Sequence, residues 1–188
     1  METQSLVPFS VPLETKMFVL IGQHALADKM LELTAALCLR QTVTVLDCGN
    51  RSNMYAVARH IRPFSSDPVA AMNNIRLSRA FTGYQSLAMF EAVAAAPPSE
   101  AVLVLDLLPT FLDEDLELKD AQRLFERSLD CLDALSKHVP VVISAKPIPP
   151  IAHEREVLLD ALRERADFCW EEPLPLSAAQ NLQGSLFA

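Results

Sequence analysis

The apolar positions of the chain fall into short unbroken runs, separated by longer segments with a helical period. "KMFVLIG" (16–22), "TVTVLD" (42–47), "AVLVLDLLP" (101–109) and "VPVVISAKP" (139–147) lack a regular polar alternation. Runs of this kind predict strands buried on both faces of a sheet. "IRLSRAF" (75–81) alternates and predicts a further strand, and "DFCW" (167–170) a short final one. Between them the spacing predicts helices. One covers 25–40, with Leu26, Met30, Leu33 and Leu37 on one stripe. A second covers 54–62, entered through Asn53 as a cap and stopped by Pro63. Others cover 86–96, stopped by Pro97 and Pro98, then 112–138 and 154–166. On the long helix, Ala121, Leu124, Phe125, Leu132 and Leu135 share a face. Residues 63–74 predict a loop with room for one helical turn.

Strand and helix alternate along the whole chain, which predicts a three-layer α/β/α fold around a mostly parallel sheet. Pro8 and Pro12 mark residues 1–15 as an extended arm. Residues 16–172 form the α/β domain, and 173–188 a C-terminal tail. Ligands in such folds bind at the carboxyl ends of the strands. That directs attention to the segments Gly22–Lys29, Asp47–Asn50, Thr82–Gln85, Asp106–Thr110 and Ser144–Lys146.

Composition narrows the function classes. The hydrophobic fraction is 51%, a surplus that a doubly covered sheet or a subunit interface would use. Sixteen Lys and Arg against 24 Asp and Glu give a net charge of −8. That disfavours nucleic acid or an anionic membrane as a partner of the isolated chain, while leaving room for a local basic groove. Cys38, Cys48, Cys131 and Cys169 are widely separated, with no C-x-x-C and no histidine at ligand spacing. They predict buried free thiols in a reducing compartment and no metal site. "METQSLVPFS" has neither a basic start nor an apolar core, and no apolar run approaches the ~20 residues of a membrane span. The expectation is a soluble intracellular protein, cytoplasmic or, in a eukaryote, nuclear.

The candidate chemistry begins at Gly22. A phosphate loop of the form G-x-x-x-x-G-K-[ST] counted from Gly22 would place its second glycine, lysine and hydroxyl at Ala27, Asp28 and Lys29. The motif is broken, and Asp28 would repel a triphosphate. Asp106, ending "VLVLD", has the form of a magnesium-holding acid after a buried strand; a turn or cap residue has the same form. The acid run "LDEDLE" (112–117) suits the first turns of the long helix better than a metal cluster, since negative charge there complements the helix dipole. His24, His60, His138 and His153 stand in no nucleophile motif. Arg51, Arg59, Arg62, Arg76 and Arg79 could line a groove or pair with the protein's own carboxylates.

Taken in order, these segments resemble the ATPase core of RecA-type recombinases and their paralogues over residues 16–150. "MFVLIGQHALADKMLEL" stands where that family has its Walker A loop. "VTVLDCGNRSNMYAVARHI" is similar to its strand, Arg-containing turn and helix. "NIRLSRAFTGYQSLAMFEAVAA" is similar to its "ARAYT…Q" strand and following helix, "AVLVLDLLPTF" to Walker B, and "HVPVVISAK" to its last core strand. The departures are as informative. The loop lysine is lost, Cys48 and Gly49 stand near the place of the catalytic glutamate, and Lys146 replaces the nucleotide-sensing glutamine. The resemblance therefore implies a RecA-like frame without catalytic residues or a cofactor, serving as an assembly subunit beside another RecA-like subunit in DNA recombination or repair. Two rivals stand. In one, ATP and magnesium bind through a rearranged site of Gly22, Lys29, Asp106 and Lys146. In the other, Arg51, Arg59, Arg62 and Arg76 contact DNA, in the chain alone or through a complex.

Overall fold

A computed structural model describes residues 15–173 of the chain. The expected arm and tail lie outside the described residues, apart from residues 15 and 173. Among the described residues, six strands form one sheet: β1 (Met17–Ile21), β2 (Val43–Asp47), β3 (Ile75–Arg79), β4 (Val102–Leu105), β5 (Val141–Ala145) and β6 (Phe168–Glu171). Six α-helices in the same residues connect them: α1 (Ala27–Cys38), α2 (Met54–Ile61), α3 (Pro68–Met72), α4 (Gly83–Ala95), α5 (Leu118–Ser136) and α6 (Glu156–Arg165). The strand order is β3-β2-β4-β5-β1-β6, and every pairing is parallel. The fold is a three-layer α/β/α architecture of the kind shared by Rossmann- and RecA-like proteins.

The period-two alternation of each strand divides the core into two layers. Phe18, Leu20, Val43, Val45, Leu103, Leu105 and Val142 face α1 and α2, where Met30, Leu31, Val57 and Ile61 meet them. Met17, Val19, Leu46, Val102, Val104, Val141 and Ile143 face the other way, onto Phe90 of α4, Phe125 and Leu129 of α5, and Leu159 of α6. Phe111 packs edge-on against Phe125, with ring centroids 5.0 Å apart.

The connections explain the layering. From β1 to β2 and from β2 to β3 the chain moves towards one edge of the sheet, whereas β3 to β4, β4 to β5 and β5 to β6 run towards the other. Right-handed crossovers then place the helices of the two groups on opposite faces. Adjacent β2 and β4 send their chains apart, which opens a crevice at their carboxyl ends.

Four helix starts differ from those the sequence predicts, α6 by two residues, at Glu156 rather than 154. The first helix begins at Ala27, because His24, Ala25 and Leu26 adopt left-handed backbone (φ 52°, 55° and 50°). α4 begins at Gly83, three residues early. Thr82 caps it by accepting from the Gln85 N–H at 3.2 Å, and Gln85 Oε1 accepts from the Phe81 N–H at 2.9 Å. α5 begins at Leu118, six residues late, so the acid run 112–117 forms a turn before the helix and only Asp120 lies in its first turn. Asp113 accepts from the Asp115 N–H, an Asx turn that competes with helix. The guanidinium of Arg155, 8% exposed, holds that turn by donating to the carbonyls of Phe111 and Leu116 at 2.7 and 2.6 Å. Asn53 caps α2 as expected, accepting from the Ala56 N–H.

Candidate functional site

Two carboxylates stand side by side in the crevice. Asp47 ends β2, Asp106 follows β4, and both are fully buried. The ladder sets Asp47 opposite Leu105, one residue before Asp106. Asp106 sits at φ 50°, in the left-handed region that a side chain favours little. Its N–H donates to Ser144 Oγ at 3.0 Å, fixing it to β5. Gly49 allows this arrangement, since a Cβ there would lie 2.4 Å from that of Asp106.

Each carboxylate is held differently. Asp47 accepts from the N–H groups of Arg51 and Ser52 at 2.9 and 3.0 Å, from the Ser52 hydroxyl, and from Arg79 Nε at 3.1 Å. Burial works against its charge, but the Ser52 hydroxyl, the two backbone donors and Arg79 together outweigh it. Its pKa lies below the ordinary carboxylate value. Asp106 places a single oxygen, Oδ2, 2.8 Å from Arg51 Nε and 3.3 Å from Lys146 Nζ. Its Oδ1 is buried and has no hydrogen-bond partner among the described residues. Two buried anions thus face three cations, each about one-third exposed.

The one cysteine in the crevice among the described residues, Cys48, is not poised as a nucleophile. Burial pushes the Cys48 thiol up to about 12, offset in part by a hydrogen bond with Ser86 and reinforced by Asp47 and Asp106. A thiol so far from ionising is a poor nucleophile. Among the described residues, no group of three or more His, Cys, Asp and Glu could hold a metal ion.

The loop after β1 is occupied by the protein itself. A phosphate cradle needs converging free N–H groups. Here the Gly22 N–H donates to the Ala145 carbonyl at 3.1 Å, Gln23 to Glu172 Oε2 at 2.9 Å, and Ala25 to the Gly22 carbonyl at 3.1 Å. The Leu26 side chain folds back over Gly22, so a Cβ on Gly22 would lie 2.7 Å from Leu26 Cδ2 and 2.8 Å from Glu172 Oε2. As folded, the loop presents a phosphate with a leucine and a carboxylate.

The residues singled out from sequence therefore divide. Asp106, Lys146 and Arg51 come together. Gly22 lies beside them at the end of β1, bonded to the residue before Lys146. Lys29 lies exposed on α1 with no hydrogen bond or ion pair among the described residues, and His24 is exposed in the left-handed turn. Arg59 and Arg62, in and just after α2, and Arg76 on β3 are exposed and form no ion pair among the described residues. Arg51, expected with them, is turned inward onto Asp106. Asp47 and Ser144, at the strand ends marked from sequence, and Arg79, among the marked arginines, join Asp106, Lys146 and Arg51, while Ser52 and Glu172 complete the arrangement without having been singled out. The parallel endings "VTVLD" and "VLVLD" were the available signal for Asp47.

No family model matches the chain, and no curated protein matches it in sequence. Among the described residues, no helix is long and apolar enough to cross a membrane.

Proposed function

We propose that the chain is a non-catalytic RecA-like domain acting as an assembly subunit, paired with another RecA-like subunit in DNA recombination or repair. The observation that carries the assembly reading is the free edge of the sheet at β3. Exposed apolar and aromatic side chains gather on this strand and the segments around it: Leu77, Phe81 and Tyr84, with Tyr55, Phe64 and Val69 from α2, its following turn and α3. β3 has no strand on its outer side among the described residues, and exposed apolar side chains beside such an edge make a surface that natural proteins cover. The self-filled loop after β1 and the neutralisation of Asp106 by Arg51 and Lys146 support the absence of catalysis and of a bound nucleotide. The recombination setting rests on the resemblance of the quoted segments alone.

Arg76 on this strand, with Arg59 and Arg62 in and after α2, forms no ion pair among the described residues, which favours DNA contact once a partner completes the surface. The test is sedimentation velocity of the chain, alone and mixed with RecA-type subunits from the same source, using wild type and Leu77→Asp/Phe81→Asp. Association lost in the double variant supports the reading. A monomer that ignores every such subunit removes it. DNA contact is read as affinity of the complex that falls steeply with salt.

A further inference from the structure

A second surface lies at the other end of the sheet from β3. α5 and α6 leave a groove of about 360 Å³ between them. α6 lines it with Val157, Asp160, Ala161 and Glu164, which lie on one stripe of the helix, and α5 with Gln122 and Glu126. The buried Leu158 also lines it, and Val157 is 44% exposed, an apolar side chain left open in the groove. Ala161, beside it, is too small to fill the trough.

The rim is acidic and incompletely neutralised. Asp160 shares Arg163 with Glu156 and Glu171, and Glu126 shares Arg165 with Asp130. Glu164 forms no ion pair among the described residues. The wider charge distribution points the same way. Over residues 100–172, Asp and Glu outnumber Lys and Arg by 17 to 8, whereas over residues 16–99 the order reverses, 5 to 8. The negative charge of the protein is thus concentrated on the part that carries this groove.

We propose that the α5–α6 groove docks a basic amphipathic helix of another protein. The helix would set an apolar side chain against Val157 and Ala161 and place lysines or arginines against Glu126, Asp160 and Glu164. An apolar floor with a charged rim is the complement of such a helix, and the rim charge selects its sign. Residues 1–14 and 174–188 do not supply it: the first carry two acids and no lysine or arginine, and the second no charged side chain.

The probe is a fluorescently labelled Lys/Leu peptide with its leucines at i, i+3, i+4 and i+7, titrated with the full chain and followed by anisotropy. Its control has the same composition in scrambled order. The expected result is saturable binding of the amphipathic peptide and at least about tenfold weaker binding of the scrambled one. Glu126→Lys/Glu164→Lys and Val157→Asp should each weaken binding by about tenfold or more, while Asp28→Lys/Glu32→Lys on α1, with the same change in net charge, stays within about twofold. Equal losses in both charge-reversed variants, equal binding of the two peptides, or no binding at all would overturn the proposal. So would self-association of the wild type that Glu126→Lys/Glu164→Lys abolishes, since a second copy would then be the occupant. These outcomes are independent of the β3 edge, whose variant should leave peptide binding unchanged.

Discussion

Glu172 Oε2 accepts a hydrogen bond from the Gln23 backbone N–H at 2.9 Å, joining the end of the last strand to the loop after the first. A carboxylate thus stands where a phosphate loop would receive its anion. The wild-type chain is expected to show no thermal shift with magnesium and ATP. Glu172→Ala should show none either, because Leu26 still covers Gly22. Binding at a hundred times the dissociation constant would add ~2.7 kcal/mol of stability. A shift of that size in the wild type, lost in Asp106→Ala, would return the rearranged site to the front.

The left-handed turn at His24, Ala25 and Leu26 stores strain that glycine would relieve. His24 is the position at which to test this, since it is exposed and packs into no core. His24→Gly is expected to stabilise the fold by about 0.5–1 kcal/mol, or roughly 1–4 °C in Tm. A fall in Tm would show that the turn is not strained at this residue.

The strands were legible because a doubly covered sheet needs continuous apolar runs, and few other structures do. The helix starts were less so, because they were settled by single contacts. Nothing in "GQHALADK" signals left-handed backbone without a second glycine. "LDEDLE" fits a helix start until Arg155, some forty residues on, seizes the carbonyls on either side of the turn. The crevice was half legible. Asp106 and Lys146 follow from their strand endings, but Asp47 joins Asp106 only because β2 pairs with β4, and sequence spacing carries no record of that pairing.

The cations around Asp106 should behave as a set. Lys146→Ala leaves Arg51 in place and is expected to cost about 1 kcal/mol. Arg51→Ala/Lys146→Ala strands a buried carboxylate, and a loss of about 3–5 kcal/mol is expected. Chemical denaturation of both single variants and the double decides the matter. Strict additivity would mean that the two cations act independently.

Asp47 predicts an acid limb in the stability profile. Its pKa in the folded protein lies below the ordinary 3.8, so between those values the unfolded chain binds more protons and stability rises with pH. Its contribution is present above 3.8 and is lost as pH falls through the folded value. Denaturation midpoints of the wild type and Asp47→Asn, measured from neutral pH downwards, should converge in acid. A gap that stays constant would show that Asp47 does not titrate in this way.

The thiols should separate by access. Against the expectation of buried thiols, Cys169 is exposed, because β6 is an edge strand, and Cys131 is half-buried; only Cys38 and Cys48 are buried. Alkylation of the native protein is expected to label Cys169 first, and Cys48 only on unfolding, as mass spectrometry of timed samples would show. Early labelling of Cys48 would mean that the crevice opens.

The position of β1 has a consequence for how the protein is made. Its two neighbours, β5 and β6, are the last strands of the sheet to be synthesised, and Met17 pairs with Val141 across about 120 residues of chain. At ~5–20 residues per second, the ribosome leaves this wholly apolar strand without its partners for roughly ten seconds. The nascent chain therefore carries an unmatched apolar segment, "MFVLI", until β5 and β6 have emerged, an interval in which it is open to aggregation.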